Sequence, residues 1–277
     1  MDLQGRKIIV TGAASGIGRA LIAALVEHDV KIVAADLRPE DCPVVPEKVF
    51  ALRCDVSQQG DLDRLFEFAN QTLGGADLCF SNAGFAYYET LGPPDWAHIA
   101  RIFHTNVFAS IYSLQKMREL NGDQPFKVVI TASAMATLPI PGYALYAATK
   151  AALSAFAEAQ RFELRDKSQV TLVYPIATRT DFFSQGIQKA PIPWPAQEPA
   201  EVARSILRGV ARDQTRIFPY AMYRPLGFLY HLFPWIGRIY QHIQWRKFQR
   251  WALPVAAEPA EPRVSPPPPK KRPNRTP

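Results

Sequence analysis

Lys7-Ile-Ile-Val-Thr-Gly-Ala-Ala-Ser-Gly-Ile-Gly18 is the stretch that decides the fold of this 277-residue chain. Its first part, Lys7–Thr11, is a short apolar run that reads as a strand. The residues that follow are small, and helical spacing begins within Ile17–Glu27. A strand that turns through glycine into a helix aims free N–H groups and a positive dipole end above the strand, where a phosphate can sit. Taken alone, such a turn is equally a loop that merely needs glycine.

Outward from this unit the same alternation recurs. Val30–Asp36, Val49–Cys54, Asp77–Ser81, Phe126–Ala132, Gln169–Pro175 and Thr215–Pro219 read as strands. Leu62–Thr72, Trp96–Leu120, Tyr143–Arg165 and Ala200–Arg212 read as helices. Strands alternating with helices predict an α/β fold with a doubly wound parallel sheet. The runs IIV, KIVAA and KVVI are continuously apolar, as strands covered on both faces should be. Ligands of such sheets bind at the carboxyl ends of the strands.

The predicted organisation is a catalytic domain over 1–219, an aromatic and basic extension over 220–253, and a disordered Pro-rich tail over 254–277. The extension holds ten of the 31 aromatic residues, and the tail nine of the 25 prolines. The net charge of +7 is uneven: residues 214–277 carry a surplus of nine positive charges, so residues 1–213 carry −2. Basicity confined to one end is not a nucleic-acid footprint on the main domain, and no nucleic-acid partner is expected.

Cys42, Cys54 and Cys79 are odd in number and widely spaced, which argues against a disulfide framework and for a reducing, cytoplasmic compartment. The opening residues lack the apolar stretch of a secretory signal. No uncharged apolar run approaches the roughly 20 residues needed to span a bilayer. His28, His98, His104, His231 and His242 are scattered, and no metal is implied.

Asp36 ends the second strand about twenty residues after the glycine turn. An acid there accepts both ribose hydroxyls of an adenosine and repels a 2′-phosphate, favouring NAD over NADP. Arg38, two residues on, softens that preference, so NADP stays open. Without the upstream turn, Asp36 would read as a solvated strand-end acid. Tyr146 and Lys150 share one helical face, one turn apart. A free phenol, with a pKa of about 10, is a poor base at neutral pH. A neighbouring ammonium favours phenolate and brings it toward working range. By itself YxxxK also occurs as two surface residues on a helix.

The set TGxxxGIG at 11–18, Asp55-Val56, Asn82-Ala83-Gly84, Asn106, Ser133 and Tyr146-xxx-Lys150, in this order and spacing, resembles the short-chain dehydrogenase/reductase family over about residues 5–220. The resemblance implies the following roles. Tyr146 is the general acid/base at the substrate oxygen. Lys150 lowers its pKa and holds the nicotinamide ribose. Ser133 orients the substrate oxygen, and Asn106 supports a water relay to Lys150. Gly12, Ser15, Gly16, Ile17 and Gly18 form the dinucleotide turn. Asp55 and Val56 meet the adenine, and Asn82 to Gly84 the adenosine ribose. Pro175, Thr178 and Thr180 belong to the nicotinamide-carboxamide loop. Homo-oligomers through the long helices, roughly 96–120 and 143–165, are implied as well. Two positions depart from the family pattern: Pro175-Ile176 stands where Pro-Gly is usual, and Ser81 where a second Asn is frequent.

The expected activity is therefore NAD(P)-dependent interconversion of an alcohol and its carbonyl compound. A catalytically silent dinucleotide-sensing regulator and a lipid-surface binding protein are the other readings. Residues 220–251 combine Trp, Tyr and Phe with Arg and contain no acid. That composition suits a membrane interface, a hydrophobic lid over the substrate cleft, or a contact with a second subunit. Each points to an apolar substrate: a lipid-like, steroid-like or retinoid-like alcohol or ketone. Phe182, Phe183, Ile187, Ile192 and Trp194, in the loop after the sixth strand, add to that expectation.

Overall fold

The computed structural model describes residues 1–164, 169–180, 182 and 190–252, apart from the His231 side chain. The Pro-rich tail, Phe183 and Ile187 lie outside the described residues. Strands β1 (Arg6–Thr11), β2 (Val30–Asp36), β3 (Val49–Arg53), β4 (Leu78–Ser81), β5 (Lys127–Thr131) and β6 (Val170–Val173) fall where the apolar runs predicted them. β7 (Ala177–Thr178) and β8 (Ala196–Gln197) form a separate two-stranded ribbon, and β9 (Arg216–Ile217) closes the main sheet. The main sheet is parallel throughout, in the order β3-β2-β1-β4-β5-β6-β9.

The chain winds one way from β1 to β3 and the other way from β4 onward. The order therefore reverses between β1 and β4, and a crevice opens above their carboxyl ends. The switch point follows from the strand order, and the glycine turn leaves β1 directly into it.

Helices cover both faces. α1 (Gly16–Leu25) and α6 (Pro199–Ala211) pack on one side through Leu21, Ile22, Ile206 and Val210, against Ile8 and Val10 of β1. On the other side α2 (Gln59–Leu73), α4 (Ala109–Asn121) and α5 (Ala144–Glu163) bring Leu65, Leu114 and Leu153 against Ile9. Successive residues of one strand thus face different layers, which is why β1 is apolar without alternation.

The single helix expected over Trp96–Leu120 is corrected. α3 (Trp96–Phe103) passes through a wide π-turn at His104–Phe108 before α4 begins. The extra residue in that turn lets Asn106 project into the neighbouring loop instead of continuing the helical stripe. The extension is helical: α7 (Tyr223–Leu232) holds Pro225 in its first turn, and α8 (Pro234–Ala252) starts on Pro234, so neither proline breaks a helix interior. No described helix is long and apolar enough to cross a membrane.

Candidate active site

A cleft of about 750 Å³ runs above the carboxyl ends of β1 to β6 and under α7 and α8. At one end it is bounded by Gly12, Ser15, Gly16, Ile17, Asp36, Asp55 and Val56. Gly16 has a left-handed φ of +53°, and a Cβ on it would come within 3.0 Å of Thr180 Cγ2. Thr180, from the loop after β6, therefore closes over the turn. A Cβ on Gly18 would lie 2.0 Å from the Gly12 carbonyl oxygen. Gly18 does not line the cleft; it allows the helix start to press against the turn. Ser15 caps α1 without a side-chain hydrogen bond, and the first turn carries no acid, so its N–H groups remain available to an anion. This cradle has the backbone shape and polarity of a dinucleotide site.

Asp36 does more than the sequence indicated. Its Oδ2 accepts from Ala14 N at 3.0 Å and its Oδ1 from Arg38 N at 3.1 Å, so the same acid pins the glycine turn. Arg38 points at Asp41, 3.3 Å away. Asp55 accepts from the Ser57 N–H and hydroxyl, holding its own loop in shape.

The Asn82 side chain is spent on the scaffold. Its amide donates to Thr11 O at 3.2 Å and accepts from the Thr131 hydroxyl at 3.2 Å, tying β1 to β5 across β4. Thr11 Oγ1 accepts from the backbone N–H groups of both Asn82 and Ala83. Sequence reasoning missed Thr131, whose only signal was that it ends a strand next to the crevice, and it met Thr11 only as the first residue of the TGxxxGIG match, without this tying role. Ser81, in place of a second Asn, pairs its buried hydroxyl with Ser110 at 2.9 Å, so the departure leaves no polar atom stranded. Ile176 is absent from the described positive-φ residues, so the missing glycine costs no backbone strain there. Pro175, Thr178 and Thr180 line the cleft.

At the other end Ser133, Tyr146 and Lys150 converge. The helical spacing of α5 puts Lys150 Nζ 5.5 Å from the centre of the Tyr146 ring, and Ser133 hydrogen-bonds the phenol. Lys150 Nζ donates to Thr131 O at 2.7 Å. Asn106 stands behind this wall rather than in it. Its Nδ2 donates to Phe85 O (2.9 Å) and to Thr149 Oγ1 (3.1 Å), and its Oδ1 accepts from Phe85 N (3.0 Å). Thr149 in turn donates to the Tyr146 carbonyl at 2.7 Å. Asn106 thus fixes both the α5 turn bearing Tyr146 and the loop after β4.

Burial governs the titration of the pair. It pushes Tyr146 up to about 12, opposed by the Ser133 hydrogen bond, and pushes Lys150 down to about 7. Both shifts have one cause, the loss of water around a charge. For the chain by itself, desolvation is the largest influence on Tyr146 and the net shift is upward.

The extension forms the roof. Tyr220, Tyr223, Leu226, Tyr230 and Tyr240 face the cleft. Tyr223 hydrogen-bonds Thr137, Tyr240 donates to Trp194 O at 3.3 Å, and Gln241 donates to Pro139 O at 2.9 Å. Phe248 and Trp251 pack on Tyr88, with ring centres 5.1 and 4.6 Å away. Phe182 reaches the site, its ring 5.5 Å from that of Tyr146. Ile192 and Trp194 are corrected: both are exposed and outside the lining, which their neighbours Pro193 and Pro195 provide instead.

Residues 6–190 match the family model described as short chain dehydrogenase. The chain belongs to the short-chain dehydrogenase/reductase family, a family of NAD(P)-dependent oxidoreductases. Within it, short-chain dehydrogenase/reductase family 16C member 6 of Bos taurus is 30% identical over 77% of this chain and 72% of that protein. An 11-beta-hydroxysteroid dehydrogenase of Pinus massoniana is 26% identical over 84% of this chain and 71% of that protein. The fold matches a Burkholderia phymatum member of the family in complex with NAD (TM-score 0.73, 20% identity, 95% of this chain, 99% of that one). It also matches a Burkholderia cenocepacia short chain dehydrogenase in complex with NADP (TM-score 0.74, 21% identity, 87% and 99%).

Proposed function

We propose that the protein interconverts an apolar alcohol and its carbonyl compound, using a nicotinamide dinucleotide with NAD preferred. The observation that carries this is the meeting of Ser133, Tyr146 and Lys150 under a roof of aromatic side chains. Bound in the cradle, the dinucleotide would supply the hydride donor or acceptor. Ser133 holds the substrate oxygen. Tyr146, kept as the phenol by burial, gives its proton to a carbonyl oxygen during reduction; in oxidation it first passes that proton to the neutral Lys150 amine and, as phenolate, takes the hydroxyl proton. Lys150, with a pKa of about 7, gains and loses a proton at neutral pH and can restore the one that Tyr146 passes on. Asn106 holds the backbone on which this exchange depends.

Asp36 at the mouth of the adenosine end supports NAD, while Arg38, which also lines the cleft and forms only an exposed pair with Asp41, keeps a cation there and moderates that preference. Apolar substrates are supported by the Leu138, Ile140, Leu226 and Phe182 lining. The names of similar proteins agree in kind: 11-beta-hydroxysteroid dehydrogenase, farnesol dehydrogenase of Aedes aegypti and 3-ketodihydrosphingosine reductase of Dictyostelium discoideum.

The test follows reduced-cofactor absorbance with NAD or NADP across long-chain and polycyclic alcohols, with Tyr146→Phe alongside. NADH formation that vanishes in the variant is expected. Failure of every apolar alcohol, with good turnover of small polar ones, would overturn the substrate class. NADPH formation alone would overturn the reading of Asp36.

A further inference from the structure

α7 and α8 each have two usable faces. Tyr223, Leu226, Tyr230, Tyr240 and Gln244 turn inward, and the cleft takes all but the last of these as lining. On the opposite side Phe228, Leu232, Trp235, Ile239, Ile243 and Trp245 are exposed, with Phe228 67%, Trp235 60% and Ile239 53% accessible. Within each helix they recur every three or four residues, Phe228 and Leu232 on α7 and Trp235, Ile239 and Ile243 on α8, so each helix presents an exposed apolar stripe. Isolated exposed apolar residues are ordinary, but a contiguous stripe of large ones marks a surface that meets something.

Charge identifies what it meets. Arg224, Arg238, Arg246, Lys247 and Arg250 flank the stripe and are exposed. No Asp or Glu occurs between Gln214 and Ala257. Aromatic and aliphatic side chains rimmed by cations, without one acid, complement an apolar layer capped by negative headgroups. A second copy of this face fits poorly, because a twofold contact would set these cations against their own copies with no acid to answer them.

We propose that the outer face of α7 and α8 docks the protein onto an anionic lipid surface. The roof is one helix thick, about 10 Å, so the cleft lies just behind the docked face and an alcohol dissolved in the lipid has a short way in. The docking stands on this face alone. It holds or fails separately from the reaction assigned to the cleft.

The test is co-sedimentation of the full chain with phosphatidylcholine vesicles, and with vesicles that also contain phosphatidylserine. Wild type should bind the phosphatidylserine vesicles and let go as salt rises. Arg246→Gln with Lys247→Gln should weaken binding roughly 25-fold, at about fivefold per lost cation. Ile239→Glu, at an exposed position outside the cleft lining, should weaken it at least tenfold while turnover of a water-soluble alcohol stays unchanged. Equal binding by wild type and Ile239→Glu would place the lipid contact elsewhere, on the basic tail, and overturn the proposal. Failure to sediment with either lipid would overturn it too, as would a wild-type dimer that Ile239→Glu splits.

Discussion

Replacing Lys150 by Met should make the unliganded protein more stable, while removing a group the proposed chemistry needs. Burial holds Lys150 at about 7 against an ordinary 10.5. At pH 7 that displacement costs the folded state about 4 kcal/mol. Met fills nearly the same volume without the charge. The substitution also strips Thr131 O of the donor that lies 2.7 Å away, which costs about 2 kcal/mol. The net gain at pH 7 is therefore about 2 kcal/mol. Its pH dependence has a definite sign. Between about 7 and 10.5 the unfolded chain binds more protons at this site than the folded chain does, so wild-type stability rises with pH over that window, by about 1.4 kcal/mol per unit. The Met variant lacks that slope, and its advantage should shrink to about zero near pH 9. Urea unfolding of both proteins at neutral and alkaline pH measures this directly. A variant less stable than wild type at pH 7, or a gap that does not change with pH, would refute the reasoning.

Asp36→Ala should shift the ratio of NAD to NADP efficiency toward NADP at least tenfold, and should also cost about 1–2 kcal/mol in unfolding because the Ala14 and Arg38 N–H groups lose their acceptor. Steady-state kinetics and denaturation read the two effects separately. Gly18→Ala should abolish dinucleotide binding in a fluorescence titration, since its Cβ would meet the Gly12 carbonyl at 2.0 Å. Gly142 has φ +88°, and a Cβ there would lie 2.4 Å from Tyr88 and 2.7 Å from Phe248. Gly142→Ala should therefore cost about 2 kcal/mol or more. By displacing α8 it should raise KM for apolar alcohols more than for small ones.

How much was legible in the sequence depended on how local each feature is. The dinucleotide end was readable because its chemistry lies in short runs: a strand, three glycines and the first turn of a helix fix their own geometry. The Tyr146 and Lys150 pair was readable for the same reason, since helical spacing alone puts them together. The π-turn at Asn106 was not, because nothing in HTNVF separates a widened turn from an ordinary one. What selects it is Phe85, whose backbone takes both ends of the Asn106 amide from 21 residues away. The Tyr146 titration was legible only in part, for a related reason. Spacing reveals the neighbouring cation but not the water excluded around it, and the excluded water dominates.

The roof was the least legible part, and for a physical reason that bears on its role. An amphipathic helix reveals its buried side through contrast between faces. α8 has little contrast: Tyr240, Phe248 and Trp251 are on the side that meets the domain, and Trp235, Ile239 and Ile243 on the side that does not. The inward side is chosen by features far away in sequence. Gly142 clears the space that the Tyr88 and Phe248 rings occupy, and Pro139 O offers an acceptor to Gln241. A helix that only closed a cleft would gain nothing from an apolar outer stripe and would be more soluble with acids along it. The absence of contrast that hid the orientation of α8 is thus the same feature that argues for a second, apolar environment on its outer side.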